Sequence, residues 1–196
     1  MALHNDIFRE QIWGWFCNDI ESCFKVAQDL QARGELRGRL NFPAALTIFA
    51  VIELVAGYYA GKRPRHGDIA KFISRYLGKH YAKLADERVA EKWYEVFRHG
   101  LSHQWSPKCG GVSMDFAQPD VFAFAQSGTE EVLTLFVPAL FCFTRAAMRD
   151  YEADLNSSVV LRSNFSKRYE ELVSRDRGAM QALRGMCRSR QSPQHG

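Results

Sequence analysis

One segment restricts the fold of this chain more than any other. From Phe42 to Ala60 the sequence reads FPAALTIFAVIELVAGYYA, an apolar run interrupted by a single charge, Glu53. The run is about long enough to span a bilayer. Against that, Pro43 stands at its start and Glu53 near its centre, where an acid costs on the order of 3 kcal/mol on insertion. No second comparable stretch exists. The segment is therefore read as a buried core helix, with Pro43 in its first turn and Gly61 at its end, in a chain with no membrane partner.

A core helix needs apolar faces to pack on it, and 46% hydrophobic residues in a chain of 196 supply them. That content also excludes wholesale disorder, and the length suits one domain plus an extension. The expected division is a helical domain over residues 1–158 and a basic helical extension over 159–196 with a disordered tail. Five cysteines, an odd number without a C-x-x-C pair, do not make a disulfide framework. The start MALHNDIFREQ lacks the basic and apolar regions of a signal peptide. A reducing, cytoplasmic setting is expected, with Cys142 a small buried thiol.

Apolar residues at three- and four-residue spacing (Ile12, Phe16, Ile20, Phe24, Ala27, Leu30) predict a first helix from Asn5 or Asp6 to about Ala32. Gly67-Asp68 opens a third helix that Gly78 should stop or bend, and a fourth runs from about Leu84 to Ser102. Beyond the turn-rich SPKCGG, the segments VSMDF and VFAFA alternate as a small β-hairpin would. Thr129-Glu130-Glu131 is read as the start of the last long helix, carrying Val132 to Leu155 across a kink at Pro138. The expected fold is all-α: an antiparallel helical bundle with a small β-hairpin inserted before the last core helix.

The charge is uneven. From Arg162 onward eight basic residues face three acids, and between Lys62 and Lys83 seven face only Asp68. Such clusters point to an anionic partner. Within the second cluster Lys71, Arg75, Lys79 and Lys83 recur every four residues. If helical, they form one stripe beside Phe72, Tyr76 and His80, able to follow an RNA backbone or to be a solvated face. Lys108 adds a cation in the turn after the fourth helix. Glu53, an acid among apolar residues, requires a partner; Arg98 or a backbone donor at a helix end would serve, and the acid could also orient a catalytic pair.

The most informative stretch is YEVFRHGLSHQ, residues 94–104. Arg98 is followed after four residues by His103, and the residue directly after the arginine, His99, is polar. This resembles the R-x(4–6)-H motif of the HEPN superfamily (higher eukaryote and prokaryote nucleotide-binding domains). The order of an apolar helix with an internal acid, a basic helix, F-R-x-G-L-x-H and a turn is similar to bacterial HEPN proteins over roughly residues 5–155. The resemblance implies a metal-independent endoribonuclease that cleaves single-stranded RNA to 2′,3′-cyclic phosphate and 5′-hydroxyl ends. It assigns His103 to proton transfer, Arg98 to the phosphate and His99 to an auxiliary role. It also implies a toxin or antiviral effector, with a cognate antitoxin or other protein among its partners. The other reading it leaves is an inactive module that binds nucleotide, RNA or protein.

The chemistry suits these residue types. Histidine titrates near working pH, and an arginine fork matches two phosphate oxygens. On an ideal helix, however, Arg98 and His103 stand about 140° apart, so one chain does not bring both onto one phosphate. A homodimer with facing motifs would. His99 and His103 also have the i, i+4 spacing of a zinc pair, but Gly100 replaces the glutamate of H-E-x-x-H, and Cys109 or Asp115 would be needed as a third ligand. No metal and no cofactor are expected.

Overall fold

The computed structural model describes residues 3–35, 40–101, 110–127 and 129–189. It is mostly helical, 78%, with a small three-stranded sheet, so the mostly-α class holds and the sheet is larger than a hairpin. Helix α1 covers residues 3–32 and contains a π-helical stretch, Phe8–Phe16. The wider π turn repeats close to every four residues, which keeps Phe8, Ile12 and Phe16 together on the buried side.

Helix α2, Asn41–Ala60, is the apolar run. By length and composition it could cross a membrane, but half of its apolar window is buried inside the protein. Ala44, Ala45, Ile48, Phe49, Ile52, Val55 and Ala56 are completely covered, each larger side chain contributing about 1.5–3 kcal/mol by burial. Gly61 ends the helix with φ +67°, and Asn164 would lie about 3 Å from a Cβ there, so both the backbone angle and the space demand glycine.

Helix α3, residues 66–80, also contains a π-helical stretch, Ile73–Leu77. Gly78 neither stops nor bends it. The residue has ordinary helical angles, and a Cβ would sit 2.7 Å from Cα of Ala85, so glycine is there because two backbones touch. Asp86 then caps α4, residues 87–101, by accepting from the amides of Arg88 and Val89. Ala90, Trp93, Tyr94, Phe97 and Leu101 face the core, while Val89 is exposed.

The expected hairpin and last helix need correction. Strand β1 (Gly110–Ser113) does not pair with β2 (Phe122–Ser127). Both flank β3 (Glu130–Phe136), β1 in parallel and β2 antiparallel, with Ser113 opposite Phe136 and Phe122 opposite Leu135. Residues 130–136 are thus strand and not helix. Their V-L-T-L-F texture favours the pleated state. Helix α5, Val137–Ser157, begins where Pro138 fits its first turn, and no kink is required. Cys142 is exposed, not buried.

Helix α6, Val159–Ser189, follows directly. Its first turns belong to the core. Leu161, Phe165 and Arg168 are buried, the Phe165 ring stacks on Tyr58 at 4.3 Å, and Asn164 donates to the Tyr59 carbonyl at 2.9 Å. Residues 159–168 therefore pack as part of the bundle, and the body of the protein reaches past residue 158. Of the tail expected to be disordered, Cys187–Ser189 continue α6, and residues 190–196 lie outside the described residues.

Candidate functional site around Arg98

The site is built where side chains of α4 meet side chains of α2. Residues Glu95–His99 are π-helical, a local widening often found at functional positions. Tyr94 and Arg98 leave the same side of α4 and converge on Glu53 from the middle of α2. The Tyr94 hydroxyl donates to Glu53 Oε2 at 3.1 Å, and Arg98 Nη2 donates to the same oxygen at 3.4 Å. The acid that interrupts the apolar run thus has two donors, one of them Arg98.

Exposure differs among the three. Tyr94 is buried, and burial together with the Glu53 charge pushes its hydroxyl well above the usual tyrosine range. Glu53 keeps 41% of its side-chain surface and Arg98 keeps 25%. The guanidinium is therefore held at the surface rather than sealed beneath it. Its Nε is buried and has no hydrogen-bond partner among the described residues. The buried Nε cannot reach an outside ligand, so the capacity for an anion lies in the exposed edge of the guanidinium.

His66, the first residue of α3, lies edge-on to the Tyr94 ring with centroids 6.1 Å apart. Before it runs Lys62-Arg63-Pro64-Arg65. Lys62 is held by Asp68 at 3.1 Å, whereas Arg63 and Arg65 are exposed and make no ion pair among the described residues. Asp68 feels some burial, but the Arg65 amide and Lys62 outweigh it and keep the carboxyl below its usual value. Two uncommitted cations thus sit in the connection that brings His66 to the Tyr94–Glu53–Arg98 group. Sequence reasoning gave neither Tyr94 nor His66 a place in this group. The four-residue step from Tyr94 to Arg98 was a usable signal for the first, and nothing local signalled the second.

The motif histidines are placed less fully. His99 is described in its backbone, within the π-helical stretch, and His103 and Lys108 lie outside the described residues. Among the described residues no group of three His, Cys, Asp or Glu could hold a metal ion.

The basic stripe is not a free surface. Arg75 approaches Asp154 at 3.6 Å, Lys79 meets Asp150 at 3.2 Å and Lys83 meets Asp120 at 3.0 Å. Arg75 and Lys79 also lie over the Tyr76 ring at 5.4 and 5.3 Å. Lys83 stands beyond the end of α3, in the short turn Ala82–Leu84, so the four-residue spacing does not continue as one helix face. Arg75 lines a cleft of about 470 Å³ with Tyr59, Asp154 and Asn164. Of the four, only Lys71 is exposed without such a carboxylate at contact distance among the described residues.

The chain was compared with family models, curated proteins and solved structures, and it matches none of them.

Proposed function

We propose that the chain is a metal-independent endoribonuclease of HEPN type, acting on single-stranded RNA as a homodimer in the cytoplasm. One observation carries the reading. Arg98, the arginine of the R-x4-H motif, is fixed at the surface by Glu53 and Tyr94 with part of its side chain still exposed. A solvated helix arginine needs neither a buried tyrosine nor an acid inside an apolar helix to hold it. The R-x4-H spacing, the internal acid and the mostly helical fold support a HEPN-like bundle in the same way.

In this reading Arg98 binds the non-bridging phosphate oxygens and offsets charge that develops on them. His103 takes the proton of the ribose 2′-hydroxyl or delivers one to the leaving 5′-oxygen, the other transfer falling to the partner copy's motif. The O2′–P bond forms as the P–O5′ bond breaks, leaving a 2′,3′-cyclic phosphate and a 5′-hydroxyl. Arg63 and Arg65 would steer the strand toward the site. A toxin or antiviral role, with a cognate antitoxin, follows as the biological setting.

The second reading is an inactive binding module, and Glu53 favours it: the carboxylate already neutralises Arg98 and competes with phosphate. Cleavage of single-stranded RNA in EDTA separates the two. The nuclease reading expects cyclic-phosphate ends from the wild type and their loss in Arg98→Ala and His103→Ala. A folded wild type that cuts no RNA, while Glu53→Gln tightens RNA binding, decides for the module.

A further inference from the structure

Helix α6 is two structures in one. Through Arg168 its inner face is buried against the bundle, and Leu172 and Val173 are half-buried. From Ser174 onward every residue whose side chain is described is exposed, including Met180 at 55%, Leu183 at 58% and Met186 at 64%. At 100° per residue Phe165, Leu172, Met180 and Leu183 fall on one arc. The stripe that packs Leu161 and Phe165 into the core therefore continues through Met180 and Leu183, both of them exposed.

A helix of this kind is poorly stable alone. It contains Gly178 and Gly185, each costing about 1 kcal/mol against alanine, and a lone helix of sixteen residues is marginal in water. Its charge is as one-sided as its hydropathy. Residues 174–189 contain Arg175, Arg177, Arg184 and Arg188 against Asp176 alone. Arg175 and Asp176 approach at 3.6 Å, whereas Arg177 and Arg184, which flank Met180, make no ion pair among the described residues.

The complementary surface is on the same molecule. Helix α1 has five acids against Arg9 and Lys25, a net charge of −3 opposite the +3 of the overhang. Asp19, Ser22, Val26 and Asp29 share one exposed face of its α-helical part, with Val26 at 45% exposure between the two aspartates. Asp19 and Asp29 make no ion pair among the described residues. Acid, apolar, acid on α1 matches arginine, methionine, arginine on α6. Trp15, 66% exposed, extends the apolar part of the α1 surface.

We infer that the occupant is a second copy of this chain: the overhang of α6, residues 174–189, lies on the α1 face of its partner, with Met180 and Leu183 against Val26 and with Arg177 and Arg184 against Asp19 and Asp29. A two-fold axis uses the contact twice, since each copy offers both surfaces. The contact does not involve Arg98, Glu53 or His103 and stands whether or not the chain cuts RNA.

Sedimentation equilibrium of the full chain tests it. The wild type is expected as a dimer whose dissociation constant rises at least tenfold between 0.05 and 0.5 M salt. The double variant Arg177→Glu, Arg184→Glu should be monomeric at the same concentration with unchanged helical circular dichroism, because both side chains are exposed. Adding Asp19→Arg and Asp29→Arg should restore the dimer. A wild type that stays monomeric at 100 µM overturns the inference. So does a dimer indifferent to the charge reversal, which would be held elsewhere, or a reversal that the α1 changes do not rescue. If the monomeric wild type instead floats with anionic vesicles, the overhang belongs on a lipid surface and the inference also fails.

Discussion

Two cationic regions of this protein look alike in sequence and differ in the folded chain. The stripe that begins on α3 has four cations evenly spaced in sequence, the last of them in the turn beyond the helix, and three end on Asp154, Asp150 and Asp120. The Arg98 region is less regular: Arg98 itself ends on Glu53, but Arg63 and Arg65, in the segment leading to His66, make no ion pair among the described residues. The difference shows that the number of positive charges in a segment does not measure its capacity for an anion. A cation already facing a carboxylate adds little to the outward field, because a ligand phosphate must compete with a partner that never leaves.

The comparison breaks most visibly at Arg98. Replacement by alanine should lower RNA cleavage in EDTA by about 10²-fold or more, the usual cost of removing a donor to developing charge. Lys79→Ala should change the rate less than twofold. Equal losses in both variants, read from initial rates of cyclic-phosphate formation, would put the two regions on the same footing.

Alkali tests what the regions share, a tyrosine hydroxyl held on a carboxylate. Tyr94 on Glu53 and Tyr76 on Asp154 are both pushed above the usual range, chiefly by burial, and burial takes Tyr58 up to about 12. A raised folded value means the stabilising contribution is complete below the unfolded value near 10 and is lost as pH climbs toward the folded one. Urea melts should therefore begin to fall near pH 9, because burial also raises the Cys17 thiol from there to about 11, and should lose a further ~1.4 kcal/mol per pH unit for each such tyrosine above 10. A midpoint unchanged at pH 11 contradicts this.

Freeing the stripe sharpens the contrast further. In Asp150→Asn, Asp154→Asn, Arg75 and Lys79 lose their carboxylates. Binding of single-stranded RNA should tighten, and its logarithmic salt slope should steepen by about 1.4 for the two released cations. An unchanged slope would mean that the stripe already contacts RNA in the wild type. The smallest effect concerns Asp120, held below its usual value by Lys83 and then Tyr81. Its contribution to stability is present above the unfolded value and is lost as pH falls through the folded one. Asp120→Asn should lower the melting midpoint slightly at pH 7 and flatten its decline below pH 4, where the wild type has lost the same contribution.

Much of the fold was legible because local pattern and tertiary demand agree. The four-residue spacing of Ile12, Phe16 and Ile20 announces α1, and the run to Ala60 with Gly61 announces α2. Where they conflict, the reading failed. Thr129-Glu130-Glu131 has the composition of a helix start, but β3 needed the alternating residues that follow, and neighbours on both sides stabilise it as a strand. Gly78 has the look of a stop and is instead a point where two backbones touch. Of the site, Glu53's need for a partner was visible, and Arg98 was named as one. The π-helical stretch and His66 were not, since neither leaves a mark on the local pattern.

By itself the sequence determined that an apolar helix with one acid must be buried, that a motif of Arg98, His99 and His103 follows it, and that positive charge gathers in two segments. These depend on residue type and short-range periodicity, which a linear chain displays. Only the tertiary structure decided which cations are already answered, because Asp120, Asp150 and Asp154 lie 37 to 79 residues from the side chains they face. Coulomb attraction acts across space, over a few ångströms, and separation along the chain does not report it.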